Sequence, residues 1–76
     1  MNASRRKRIA VIRESLEKIK EELESVAEEE QEAFDNIPES FSDTERYEKA
    51  EAAVNALNEI VSYMDCMSDE FETAVE

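Results

Sequence analysis

FDNIPESFSDTERYEK, residues 34–49, contains the only proline of a 76-residue chain that has no glycine. Pro38 disfavours helical geometry at Ile37, so a helix arriving from the N-terminal side is expected to stop near Asp35 or Asn36. Asn36 is expected to take the left-handed cap that glycine would otherwise supply. SDTE, residues 42–45, has the form of a capping box. The Ser42 hydroxyl would accept from the Glu45 amide, and the Glu45 carboxylate would reach back to the Ser42 amide. Phe41 is expected to pack back on Phe34 or Tyr47. The stretch therefore reads as a corner over 36–42, joining a helix of about 4–35 to a second of about 43–75 within one domain, 1–76. A corner that short makes the helices antiparallel neighbours.

The flanking periodicity agrees. Ile9, Ile12, Leu16, Ile19, Leu23 and Val26 recur at steps of three and four, with Ala33 and Ile37 in the same register. This is a heptad stripe, with Ile9, Leu16 and Leu23 at one position and Ile12, Ile19 and Val26 at the other. Glu30 interrupts it, and the apolar face drifts to Ala27 and Phe34, as a straighter helix would. Glu30 is expected to lie opposite Ala50, to pair with Lys49 and to specify register. In the second half, Tyr47, Ala50, Val54, Leu57, Val61, Met64, Phe71 and Val75 repeat the spacing, with Ser68 the polar interruption. Pairing the stripes gives partner numbers that sum to about 80, such as Leu16 with Met64 and Phe34 with Tyr47.

Composition narrows the function. One cysteine, Cys66, rules out a disulfide framework, and without histidine a zinc or haem site is not expected. The glycine-dependent phosphate loop and EF-hand loop are missing too. No apolar run approaches the ~20 residues of a membrane span. The basic N-terminal cluster is followed by no apolar h-region, so no signal peptide is expected. A lone reduced thiol and no export signal point to the cytoplasm. No cofactor and no membrane association are expected.

Charge is segregated. Residues 1–20 hold seven cations (Arg5, Arg6, Lys7, Arg8, Arg13, Lys18 and Lys20) against Glu14 and Glu17. Residues 21–76 hold Arg46 and Lys49 against nineteen acids, and the whole chain carries −12. That field repels nucleic-acid phosphates and attracts basic protein surfaces. Direct nucleic-acid binding is therefore not expected. The register sets Arg5–Arg8 beside Asp69, Glu70, Glu72 and Glu76, which gives Arg5, Arg6, Lys7 and Arg8 a structural role; the alternative for the basic segment, Arg13 included, is contact with RNA, DNA or an acidic protein surface.

The second helix carries another apolar row, Ala53, Ala56, Ile60, Tyr63, Met67 and Ala74, about 110° around from the first. The first helix shows no equivalent, because its flanks read as Arg8, Ser15, Glu22 and Glu29 on one side and Arg13 and Lys20 on the other. A hairpin with surplus apolar surface on one helix is expected to bury it. The fold expectation is all-α: an antiparallel two-helix hairpin dimerising into a four-helix bundle or coiled coil. The same row is the candidate docking face for a foreign protein.

Catalysis finds no support in the residue types. EEEQE, residues 28–32, spreads its carboxylates around a helix instead of converging them, and reads as a solvated acidic face with Glu28, Glu29 and Glu32 outward. Cys66 sits among Asp65 and Asp69, which oppose a thiolate. Ser and Tyr hydroxyls have no histidine base, so no catalytic residue is expected.

Residues 29–41, EEQEAFDNIPESF, resemble a pattern in small uncharacterised acidic helical-hairpin proteins of phages and prophages, E-E-Q-E-A-[FY]-D-N-[ILM]-P-E-S-[LF]. The likeness extends over the Glu/Ala-rich helix to Ile60, about half the chain. That pattern often has a small residue such as glycine shortly after the serine, where this chain has Tyr47. The resemblance implies a phage or mobile-element origin and a helical hairpin, and carries no activity. Small phage proteins of this kind commonly bind a host protein, so the functional expectation is a non-enzymatic module that binds, and in doing so inhibits, a host defence or nucleic-acid-handling complex. The alternative is a small structural or regulatory four-helix-bundle dimer, of the RNA-binding copy-control type or a phage assembly component.

Overall fold

The computed structural model describes residues 1–41 and 43–76. Two long helices, α1 (Ala3–Asp35) and α2 (Glu45–Val75), pack side by side as an antiparallel hairpin, with a 3-10 turn at Glu39–Phe41 between them. The molecule is a rod, 59 × 16 × 13 Å. Asn2 opens α1, its side chain accepting from the Arg5 amide at 2.9 Å. Such caps satisfy a backbone donor that the first helical turn leaves free.

The corner differs in detail from the sequence reading. Asn36 is right-handed (φ −87°, ψ −2°), and no described residue has positive φ. Its amide donates to the Glu32 carbonyl and the Ile37 amide to the Phe34 carbonyl, both at 3.1 Å. These bonds close the last turn without a left-handed residue. The expected capping box involves Ser42, which lies outside the described residues. The N-cap of α2 is Thr44, whose Oγ1 accepts from the Tyr47 amide at 3.3 Å and donates to the Phe41 carbonyl at 2.6 Å. Phe34 and Tyr47 stack on each other, centroids 4.9 Å apart, while Phe41 stays 52% exposed instead of joining them.

The seam between the helices has the expected register at the corner end. Phe34 meets Tyr47, and the two apolar side chains buried among the described residues, Ala27 and Val54, fall at the same sum. On α2 the inward row is the one read from the spacing, Tyr47, Ala50, Val54, Leu57, Val61, Met64, Ser68, Phe71 and Val75, all buried or half-buried. On α1 the inward row is Ile9, Arg13, Leu16, Lys20, Leu23, Ala27, Glu30 and Phe34. The expected second core position is thus overturned: Ile12, Ile19 and Val26 are 50%, 52% and 45% exposed. Arg13 and Lys20 replace them by laying aliphatic stems along the seam while their charged heads reach acids on α2. Ala27 also suits the inner position, because its small side chain lets α1 approach Val54 closely.

Candidate interaction surface

The seam has two margins of opposite character. One is charged. Arg13 Nη2 lies 4.0 Å from Glu72 Oε1, and its guanidinium sits over the Phe71 ring at 6.0 Å. Lys20 Nζ pairs with Asp65 across the seam and with Glu24 at 3.7 Å along α1. Ser68 Oγ reaches Glu17 Oε1 at 3.5 Å. The hydrogen bond that Lys20 donates to Asp65 raises the Lys20 pKa above its ordinary value; partial desolvation opposes this, and the charges of Asp65, Glu17 and Glu24 add to it. Glu17 and Glu24 on α1 and Asp65 and Glu72 on α2 therefore share one side of the hairpin.

The other margin follows from helix geometry. Ile12 and Glu17 leave the seam on opposite sides of the Arg13–Leu16 pair, as do Ile60 and Asp65 about Val61 and Met64. Since the acids of both helices share one margin, the other collects Ile12, Ile19 and Val26 from α1 with Ala53, Ile60, Met67 and Ala74 from α2. Ile60, Tyr63 and Met67 are 44%, 65% and 40% exposed. Ala53 is half-buried, and Ala56 and Ala74 are exposed. The row expected on α2 alone is thus part of a face to which α1 contributes Ile12, Ile19 and Val26. The expectation that α1 has no equivalent row is corrected by the exposure of its three heptad residues.

Glu28, Glu29 and Glu32 are exposed, and none takes part in an ion pair among the described residues. Glu30 is half-buried in the seam, but Lys49 pairs with Glu45 at 3.0 Å instead. In the basic segment, Arg5, Arg6, Lys7 and Arg8 are exposed, with Arg6 donating to the Glu76 carbonyl at 3.1 Å. Arg13 belongs to the seam and is not part of a free arm. Cys66 is exposed. Among the described residues no three His, Cys, Asp or Glu side chains cluster as metal ligands, and no helix is long and apolar enough to cross a membrane.

No protein-family model, curated protein or solved structure matches the chain.

Proposed function

We propose that the chain is a non-enzymatic protein-binding module of phage or mobile-element origin that works in the host cytoplasm by docking its carboxylate exterior on a basic surface of a host protein. The observation that carries this reading is the set of exposed acids on α1, Glu28, Glu29 and Glu32, which form no ion pair among the described residues, in a chain of net charge −12. Carboxylates with no internal partner keep their full attraction for external cations, within the reach that salt allows. A host complex that handles nucleic acid presents such a basic surface. The origin rests on the resemblance of residues 29–41, and inhibition is the consequence of covering that surface.

A second reading, a structural or regulatory four-helix-bundle dimer, is favoured by the apolar face that spans both helices. Its RNA-binding form is the weaker one, because Arg13 and Lys20 are engaged with Glu72 and Asp65. The test of the first reading is capture of host proteins from bacterial lysate by the tagged chain at two salt concentrations. The partner is expected to be lost from Glu28→Lys with Glu32→Lys, and to be weakened by salt. Equal capture by this variant and the original chain would overturn the acidic-surface reading.

A further inference from the structure

We propose that the apolar face formed by Ile12, Ile19 and Val26 with Ala53, Ile60 and Met67 is covered by a second copy of the chain in an end-to-end reversed arrangement, so that the corner of each hairpin lies beside the chain termini of the other. The proposal rests on the bundle-dimer reading given above and specifies its geometry.

Area argues for a copy-sized partner. A compact monomer of 8.8 kDa exposes about 4,800 Å², and this hairpin exposes 6015 Å². The excess, about 1,200 Å², exceeds the ~800 Å² that each partner contributes to a standard stable interface. Among the described residues only Ala27 and Val54 are buried apolar side chains, so the single hairpin has little core of its own. The face is also self-complementary, as a two-fold interface must be. Ile19 and Ile60 both lie near the middle of the rod, Ile60 about a turn nearer the corner, since their numbers sum to 79 while the cross-helix pairs sum to 81 at Phe34–Tyr47 and 85 at Lys20–Asp65. A two-fold axis crossing the rod between them brings Ile19 beside the partner's Ile19 and Ile60 beside the partner's Ile60, each within about a turn. Ile12 then meets the partner's Val26, and Ala53 the partner's Met67.

The rims fit the same operation. On α2, Lys49, Ala56, Tyr63 and Glu70 flank the apolar row at heptad spacing. Reversal about Ile60 brings Lys49 to the partner's Glu70 and the small Ala56 to the large Tyr63 of the partner. On α1, reversal about Ile19 brings Arg8 to the partner's Glu29. The alternative two-fold, with both corners at one end, preserves opposite-charge rim pairs but sets Ser15 against Tyr63 and Glu22 against Ala56. It also places two strongly acidic ends together. Residues 28–49 hold nine carboxylates against Arg46 and Lys49, whereas the terminal end offsets Arg5, Arg6, Lys7, Arg8 and Arg13 with the acids of α2. Reversal separates the two acidic corners by the length of the rod, which removes most of that repulsion.

The test is pulsed electron–electron spin resonance on the full chain, with Ser40→Cys spin-labelled in a Cys66→Ser background. Ser40 is exposed on the corner turn, and Cys66 is exposed on α2, so both changes leave the seam untouched. At about 100 µM chain, the reversed dimer predicts an intermolecular distance near the 59 Å rod length. A distance below about 30 Å, from corners on adjoining helices, would overturn the reversed arrangement while leaving a dimer standing. No intermolecular distance at all would overturn the dimer itself, and would leave the acidic docking surface to be judged by its own lysate test.

Discussion

Ala27 and Lys20 show how α1 turns its seam away from the hydropathy pattern. Ile12, Ile19 and Val26 are more apolar than Arg13 and Lys20, and a residue-by-residue reading places them inside. The hairpin buries the opposite set, with Ala27 and Val54 as its buried apolar pair and with long cationic stems covering apolar surface while their heads stay paired. That preference was not legible in the sequence, where a lysine between apolar neighbours counts as polar. Ala27→Leu is therefore expected to cost about 1–3 kcal/mol by overpacking the most buried point of the seam, measured by urea unfolding. Lys20 adds a pH signature. Its pKa is raised in the folded state by Asp65, so its stabilisation is fully present below the usual value of 10.5 and is lost as pH rises through the higher folded value. As pH rises past 10.5 the original chain is expected to lose more stability than Lys20→Met, the difference isolating this group from other alkaline titrations. Parallel pH profiles would remove Lys20 from the account.

At the scale of the elements, the corner was the most legible feature. One proline in a glycine-free chain placed the break, and α2 buries the row its spacing marks, Ser68 included. The cap chemistry was less legible, because SDTE offers two hydroxyls two residues apart and either can precede a helix. Thr44 is the side chain that accepts from the α2 backbone, through the Tyr47 amide. Thr44→Ala is expected to cost about 1 kcal/mol, read as a lower urea midpoint with an unchanged slope. An unaltered midpoint would mean that Thr44 does not cap the helix in solution. The loss should fall on stability and not on shape, because the Phe34–Tyr47 stack and the Pro38 turn hold the corner independently.

For the whole molecule, the sequence showed surplus apolar surface on α2 but hid the matching surface on α1. The two add to one face, and the acids add to the other margin, because an antiparallel pairing aligns the corresponding flanks of both helices. Among its described residues the rod has two buried apolar side chains and nine large ones 40–65% exposed, and this uncovered surface is what the proposed second copy would bury. The most direct test of that claim is sedimentation equilibrium of the unaltered chain from about 1 to 100 µM, with helicity followed by circular dichroism at each concentration. The account predicts a dimer of twice the 8.8 kDa chain mass, with helix content falling as dilution splits it. A fully helical monomer that persists at about 100 µM would contradict it.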